Sequence, residues 1–183
     1  MSLDPVTRQA LADLVRRTGY ERRPEPFQLS SGGWSHDYVD GKHAVAAGGA
    51  LRQASQAVVD LVGESFDSVG GPTMGADALA HGVAMLTGCT WFSVRKEAKG
   101  HGRGAWVEGA RLAAGDRVVM VEDVVSTGAS LLRAAERVRE LGVEVVAATA
   151  LLDRSPAVAK RFAEAGVPWL PLLTWTDLGI EAL

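Results

Sequence analysis

The chain has little of several features that would mark other classes of protein. Its one cysteine, Cys89, excludes an internal disulfide framework and favours a reducing compartment, so we expect a cytoplasmic protein. No apolar run is long enough to span a bilayer, and the first 19 residues are too charged for a signal peptide. The net charge is −3, so the surface has no general attraction for nucleic acid or for an anionic membrane. Any phosphate binding therefore needs a local basic cluster.

The chain does contain apolar segments that alternate with stretches of helical periodicity. Its 183 residues, 47% of them hydrophobic, suit one domain that spans 1–183. The pattern predicts strands at 27–31, 36–40, 66–70, 90–94, 117–121 and 143–152, an edge strand at 168–174, and helices at 5–18, 47–62, 76–86 and 129–141. This alternation indicates an α/β fold whose parallel sheet lies between helices, and ligands bind such sheets beyond the carboxyl ends of the strands. We therefore expect the chemistry in the loops that follow residues 70, 94 and 121.

Two carboxylates and a hydroxyl-rich turn follow the strand predicted at 117–121. Glu122 and Asp123 come first, and residues 126–130, Ser-Thr-Gly-Ala-Ser, then open a helix. Unpaired amides at a helix N-terminus favour an anion, and the small residues allow a phosphate to approach closely. The carboxylates would repel that phosphate, so they suit sugar hydroxyls or a nearby metal ion. A capped helix without a ligand is the structural alternative, and the paired acids favour function over it.

The densest basic stretch of the chain is residues 95–104, which carry a local charge of +3 and glycines at 100, 102 and 104. A mobile cationic loop of this kind is suited to close over a polyanionic leaving group and to stabilise its developing charge. A solvated surface loop is the plain alternative. Contact with nucleic acid is a weaker one, because only Trp106 is placed to stack on a base.

The acidic-hydroxyl segment and the basic segment both resemble sequence motifs of known enzymes. Residues 118–130 resemble the signature with which type I phosphoribosyltransferases bind phosphoribosyl pyrophosphate (PRPP). Residues 95–102, Arg-Lys-Glu-Ala-Lys-Gly-His-Gly, are similar to the catalytic loop of orotate phosphoribosyltransferases, and residues 107–109 resemble the end of that loop. The resemblance implies the type I phosphoribosyltransferase fold, with a parallel sheet of about five strands flanked by helices and a small N-terminal hood at about 20–45.

The resemblance also implies roles for individual residues. The catalytic residues would be Lys99, His101 and Asp123. The PRPP-binding residues would be Arg95, Lys96, Lys99, His101, Glu122, Asp123, Val124, Val125, Ser126, Thr127, Gly128, Ala129 and Ser130. The base would contact Ser126 and Arg154. No metal ligand of the protein is implied, because Mg²⁺ would be held mainly by PRPP.

Arg154 bears on the choice of base. Its planar guanidinium is able to meet a carboxylate with two parallel hydrogen bonds, which a lysine is unable to do. In the family that the chain resembles, an arginine at the matching place binds the carboxylate of orotate, so Arg154 favours orotate. An ordinary surface arginine near the start of a helix is the alternative.

Two segments resemble the family but lack its usual lysines. Residues 27–32 and 38–40 resemble the hood over the base, with Ser30 in place of the lysine. Residues 70–75 resemble the pyrophosphate-binding loop, in which Met74 is the nearest counterpart of the lysine.

The reaction that the resemblance implies is the transfer of the phosphoribosyl group of PRPP to orotate, giving orotidine 5′-phosphate and pyrophosphate, in UMP biosynthesis. Mg²⁺ is the implied cofactor. PRPP and orotate are the implied partners, together with a second copy of the chain in a homodimer that shares the loop around 96–104.

Three alternatives remain at this point. A relative that uses another base would not need Arg154. A PRPP-sensing regulatory protein on the same fold would not need Lys99 and His101. A dinucleotide-binding protein would carry its glycines between a strand and a helix, whereas Gly100, Gly102 and Gly104 precede no helical pattern.

Overall fold

The computed structural model describes residues 2–29, 32–63, 65–97 and 106–183. In chain order these residues form α1 (Pro5–Thr18), β1 (Tyr20–Gln28), β2 (Trp34–Val39), α2 (Gly41–Ala44), α3 (Gly48–Val62), β3 (Ser68–Pro72), α4 (Asp77–Thr87), β4 (Thr90–Val94), β5 (Val107–Gly109), β6 (Arg117–Val125), α5 (Ala129–Arg139), β7 (Glu144–Asp153), α6 (Ala157–Glu164), β8 (Leu173–Thr174) and α7 (Trp175–Leu178).

The main sheet has the strand order β5-β4-β3-β6-β7-β8. The pairs that join β4, β3, β6, β7 and β8 are all parallel, and only β5 runs antiparallel to its neighbour. The prediction of an α/β fold with a parallel sheet of about five strands is confirmed. The carboxyl ends of β3 and β6 meet at one edge of the sheet.

The central strand β6 is buried on both faces. Val119 and Val121 point into a core shared with α1, α3 and α4, while Val118 and Met120 point into a second core shared with α5 and α6. Alternate residues of a strand face opposite sides, so an unbroken apolar run requires a layer of helices on each face. The continuous run of valines and methionine predicted this arrangement.

The first helix begins and ends as the sequence predicts. Asp4 caps α1 by accepting a hydrogen bond of 2.8 Å from the backbone amide of Thr7. Pro5 occupies the first turn, where no intrahelical donor is needed, and Gly19 follows the last helical residue. The helix therefore delivers the chain directly to β1.

Strands β1 and β2 form a separate antiparallel hairpin within the segment predicted as the hood. The buried carboxylate of Asp37 ties the hairpin together, since it accepts hydrogen bonds from Tyr20 Oη at 2.9 Å and Arg22 Nη1 at 2.8 Å. Both donors come from β1 and the acceptor from β2. The two strands are thereby fixed to each other before α2 begins.

Some predicted boundaries are wrong, for local reasons. Strand β6 does not end at residue 121 but continues to Val125, because β7 pairs with it as far as Asp153. The acidic pair therefore lies within the strand rather than after it. The predicted edge strand at 168–174 shrinks to β8 and one isolated bridge, since Pro168 and Pro171 donate no ladder hydrogen bond.

Two further strand assignments differ from the prediction. Strand β1 starts at Tyr20 rather than at residue 27, and β5 was not predicted as a strand. Three residues are too few to show an alternating pattern. Within the described residues, no helix combines the length and the apolar composition that crossing a membrane requires.

Candidate active site

Glu122 and Asp123 lie side by side near the carboxyl end of β6. Glu122 is 8% exposed, and its neighbour Asp123 donates a backbone hydrogen bond of 3.2 Å to Glu122 Oε1. Burial, together with repulsion from the Asp123 carboxylate, raises the pKa of Glu122 to about 9. The pair therefore favours a proton, a cation or hydroxyl donors beside it.

The loop between β3 and α4 lies directly against this acidic pair. A Cβ atom on Gly75 would lie 2.1 Å from Glu122 Oε1 and 2.6 Å from Asp123 Oδ1. Gly75 does not have a left-handed backbone, so it is needed for this close approach rather than for its conformational freedom. The loop that resembles the pyrophosphate-binding segment and the pair that resembles the ribose-binding segment thus form two walls of one cleft.

The hydroxyl-rich turn opens α5 beside the acids. Gly128 adopts the left-handed conformation, with φ of 74°, and the helix begins at Ala129. A Cβ at Gly128 would also lie 2.7 Å from Phe162 Cε2, so α6 packs closely behind the turn. The first amides of α5 face away from the helix body without intrahelical partners, which suits them to a phosphate.

These segments line one cavity of about 720 Å³. It brings together the predicted residues Lys96, Glu122, Asp123, Val124, Val125, Ser126, Thr127, Gly128, Ala129 and Ser130. It also includes the β3–α4 loop from Pro72 to Gly75. The hydroxyl-rich turn, the carboxylate pair and the β3–α4 loop therefore open into a common space.

Lys42 is a cavity residue that the sequence reasoning missed. It lies on α2, and its Nζ atom is 3.4 Å from Asp123 Oδ2 and 3.7 Å from Asp40 Oδ1. Attraction to the Asp123 carboxylate raises the pKa of Lys42. Helix α2 has four residues, too few for periodicity to reveal it, and the one available signal was Asp40 as a capping residue.

Arg95 and Lys96 lie where β4 leaves the sheet. The backbone of Arg95 donates a hydrogen bond of 2.8 Å to Trp106 O, and its guanidinium pairs with Glu108 at 3.0 Å. Arg95 lines a smaller cavity of about 530 Å³, and Lys96 lines both cavities. The predicted catalytic residues Lys99 and His101 lie outside the described residues, as does Ser30.

Arg154 does not line the main cavity but is buried beneath the hood hairpin. Its Nη1 donates a hydrogen bond of 2.9 Å to the backbone oxygen of Asp37, and its Nη2 lies 3.5 Å from Ser35 Oγ. Its Nε is buried without a partner among the described residues. Burial lowers the pKa of this arginine. Part of the guanidinium is therefore held by β2, while its Nε atom is enclosed beneath the hood.

Comparison with known proteins places these observations in a family. The phosphoribosyl transferase domain model matches residues 42–164. The chain is 36% identical to the orotate phosphoribosyltransferase of Aquifex aeolicus in an alignment 178 residues long, which covers 93% of this chain and 97% of the relative. It is 40% identical to the Streptomyces coelicolor enzyme of the same name in an alignment 160 residues long, which covers 84% of this chain and 87% of the relative. The chain belongs to the orotate phosphoribosyltransferase family.

Solved structures agree with this assignment. The crystal structure of Mycobacterium tuberculosis orotate phosphoribosyltransferase in complex with PRPP is 32% identical, with a TM-score of 0.79 over 95% of this chain and 99% of that one. Adenine phosphoribosyltransferase of Trypanosoma brucei has a TM-score of 0.70 at 16% identity, which shows the fold alone. The fold is thus common to enzymes for different bases, and membership in the orotate family comes from sequence identity together with the fold.

Proposed function

We propose that this chain transfers the phosphoribosyl group of PRPP to orotate, releasing pyrophosphate and forming orotidine 5′-phosphate in pyrimidine biosynthesis. The observation that carries the proposal is the single cavity in which the Glu122–Asp123 pair lies between the β3–α4 loop and the turn at 126–130. PRPP presents three groups in sequence: a 5-phosphate, a ribose with free hydroxyls and a pyrophosphate. The cavity offers a complementary element for each of them.

The turn from Ser126 to Ser130 would hold the 5-phosphate through the first amides of α5 and its hydroxyl groups. Glu122 and Asp123 would accept hydrogen bonds from the ribose hydroxyls, and Val124 and Val125 would form the backbone between the two sites. The β3–α4 loop would face the pyrophosphate. Because PRPP would be held at its 5-phosphate and at its pyrophosphate, the reactive C1 atom would be fixed between them.

The acidic pair fits a role for Mg²⁺. Two adjacent carboxylates, one of them buried with a raised pKa, are stabilised by a nearby cation. The described residues contain no cluster of three or more His, Cys, Asp or Glu side chains able to hold a metal ion by themselves. When bound, Mg²⁺ would neutralise charge on the pyrophosphate next to the ribose hydroxyls. We therefore propose that PRPP supplies most of its ligands and that the protein contributes charge.

Charge stabilisation is the chemistry that these side chains are suited to perform. The bond from C1 to pyrophosphate breaks as positive charge grows on the ribose and negative charge on the leaving group. Arg95, Lys96, Lys99 and His101 would stabilise the leaving group, and Asp123 would face the developing positive charge. No covalent intermediate with the protein is needed, because the incoming base itself supplies the nucleophilic nitrogen.

We assign base binding to Ser126 and Arg154. The hydrogen bond of Arg154 to the backbone of Asp37 fixes the guanidinium beneath the hood, and its Nε, which is buried without a partner among the described residues, would be the donor for the orotate carboxylate. A base without a carboxylate would leave this donor unpaired, which costs roughly 1–3 kcal/mol. That penalty favours orotate over other bases.

We also propose a homodimer. Met85 on α4 is 87% exposed and Trp91 on β4 is 40% exposed, while His81 packs against Trp91 at 4.4 Å between ring centroids. His81 and Met85 are four residues apart and therefore share a face of α4. An apolar patch beside the strand that leads into the loop around 96–104 suits a second copy of the chain.

A cytoplasmic location stays a prediction.

Orotate consumption tests the function directly. Orotate absorbs in the ultraviolet, so its loss is followed with PRPP and Mg²⁺ present and with each omitted in turn. We expect loss only in the complete mixture, and Lys99→Ala should abolish most of it while Lys160→Ala, an exposed change on α6, should not. PRPP binding without orotate consumption would overturn the choice of base, and unchanged turnover in Lys99→Ala would overturn the assignment of the loop.

Mixing two inactive variants tests the shared loop. Lys99→Ala and Asp123→Asn would each be inactive alone, yet a heterodimer would contain one intact site if the loop crosses the interface. Random exchange should then restore about a quarter of the wild-type activity. Light scattering and mass measurement would verify that the subunits have exchanged. If no activity is recovered after this exchange, the result would contradict a shared loop.

A further inference from the structure

Lys42 has no assigned role, yet the fold holds it in the main cavity. Its backbone belongs to α2, which follows β2 directly. Asp40 caps this short helix by accepting a hydrogen bond of 3.0 Å from the His43 amide. The side chain of Lys42 is 53% exposed, so its ammonium faces solvent as well as Asp123. It is accessible to an incoming anion.

The position of Lys42 is fixed by packing of the backbone. A Cβ atom on Gly41 would lie 2.8 Å from Asp123 Cβ and 2.9 Å from Val124 Cγ2, so only glycine allows α2 to approach β6 this closely. The residue after Gly41 is therefore held beside the acidic pair. A surface lysine that met Asp123 by chance would not need such a contact behind it.

The two oxygens of Asp123 face different neighbours. Oδ1 accepts a hydrogen bond of 2.8 Å from the Val124 amide and lies on the side of Gly75, while Oδ2 lies 3.4 Å from Lys42 Nζ. An ammonium group has three donors, and the oxygens of Asp123 at 3.4 Å and of Asp40 at 3.7 Å occupy at most two of them. Lys42 therefore retains at least one donor for an anion in the cavity.

The distribution of cationic side chains around the cavity leaves a role for Lys42 beside the acidic pair. The β3–α4 loop, residues 72–75, contains no lysine or arginine. Of the described residues that line the cavity, Lys42, Lys96 and Arg133 are cationic. Arg133 lies on α5 by the phosphate turn and Lys96 lies at the end of β4, so Lys42 is the cation that contacts the acidic pair.

We propose that Lys42 binds the pyrophosphate group of PRPP and supplies the positive charge that the β3–α4 loop lacks. This inference rests on the proposed function. In the free protein the ammonium pairs with Asp123. With PRPP bound it shares its donors between Asp123 and a pyrophosphate oxygen, and it stabilises the negative charge on the departing group. The assignment names a PRPP-binding residue that neither sequence motif contains.

Binding measurements with three ligands test this role. Calorimetry on wild type, Lys42→Met and Lys42→Arg would compare PRPP, inorganic pyrophosphate and ribose 5-phosphate, each with Mg²⁺. We expect Lys42→Met to weaken PRPP and pyrophosphate at least about tenfold while ribose 5-phosphate stays within about twofold. Lys42→Arg should recover most of the affinity because it keeps the charge. Lys160→Met makes the same chemical change on exposed α6 and should alter none of the three affinities.

The outcomes separate a binding role from a positioning role. Equal weakening of PRPP and ribose 5-phosphate, with no change for pyrophosphate, would mean that Lys42 acts only through Asp123, and this would overturn the proposal. Unchanged affinity for all three ligands would overturn it as well. If Lys42→Met fails to fold, Lys42→Gln gives the same comparison. These readouts are independent of orotate, so failure of the proposed transferase activity would be recognised separately.

Discussion

The guanidinium carbon of Arg137 lies 3.5 Å from the centroid of the Trp106 ring. The same side chain donates a hydrogen bond of 2.7 Å from Nη1 to the backbone oxygen of Arg95. Arg95 and Trp106 are in turn joined by a backbone hydrogen bond. Arg137 belongs to α5, the helix that begins at the phosphate turn. It therefore ties the base of the β4–β5 segment to the element that we assign to the 5-phosphate.

Replacing Arg137 should move Arg95 and Lys96 relative to the phosphate turn. We expect Arg137→Met to lose about 1–2 kcal/mol of stability, from the stacking contact and the hydrogen bond. The KM for PRPP should rise about fivefold or more, because small displacements of positioning groups are costly. Steady-state kinetics and urea denaturation measure the two effects.

Arg139→Met is the matched control for Arg137. Arg139 is on the same helix and donates two hydrogen bonds of 2.9 Å to the backbone oxygens of Ala165 and Gly166, remote from β4. This variant should lose stability without a change in the KM for PRPP. Equal KM values in the Arg137 variant and the wild type would contradict the positioning role.

The raised pKa of Glu122 predicts how stability depends on pH. Below its ordinary value of 4.5 the carboxyl is protonated in both states, whereas from there to about 9 only the folded form keeps its proton. The unfolded state then binds fewer protons, so wild-type stability should fall as the pH rises through this window. In Glu122→Gln this loss, up to about 1.4 kcal/mol per pH unit, should be absent. Denaturation between about pH 5 and 8 measures the difference, and parallel curves would contradict the shift.

Binding of PRPP with Mg²⁺ should release a proton near neutral pH. A cation beside Glu122 favours its ionised form, so the proton held in the free site would leave. Calorimetry in buffers of different ionisation enthalpy measures the number of protons released. Glu122→Gln should show less release than wild type, and an identical value in both proteins would assign the proton to another group.

Gly75→Ala should block the site without unfolding the chain. The added methyl group would lie 2.1 Å from Glu122 Oε1, so the loop must move away from the acidic pair. We expect the affinity for PRPP to fall at least about tenfold. Gly49→Ala is the control, since a Cβ there meets nothing within 4 Å and the residue lies on α3. It should bind PRPP normally and gain about 0.5–1 kcal/mol of stability.

Arg154→Met should raise the KM for orotate more than the KM for PRPP. The variant removes both the donor that we assign to the orotate carboxylate and the hydrogen bond to the Asp37 backbone. Ser35→Ala serves as the control, because it keeps the guanidinium but removes the hood contact at 3.5 Å together with the hydrogen bonds between Ser35 Oγ and the Asp37 backbone. Initial rates with each substrate varied provide the KM values. An equal rise in the KM for orotate in both variants would assign the effect to the hood rather than to the carboxylate.

The local sequence was sufficient for most elements of the sheet, and it also located the segments that we assign to PRPP. The apolar run at 118–121 predicted a strand buried on both faces, and Asp4-Pro5 predicted the start of α1. The acids and the small hydroxyl residues that follow the run predicted a place for ribose and phosphate. These features depend on residues that are adjacent in the chain, so pattern and capping chemistry reveal them.

The tertiary structure decided what depends on distant segments. Lys42 meets Asp123 across 81 positions because Gly41 allows α2 to pack against β6. Arg137 reaches Arg95 and Trp106 because α5 crosses the sheet toward β4. Arg154 follows the end of β7, and only the folded hairpin shows that its guanidinium is held beneath the hood. Such contacts arise from packing between elements, and no local period or motif in the chain encodes them.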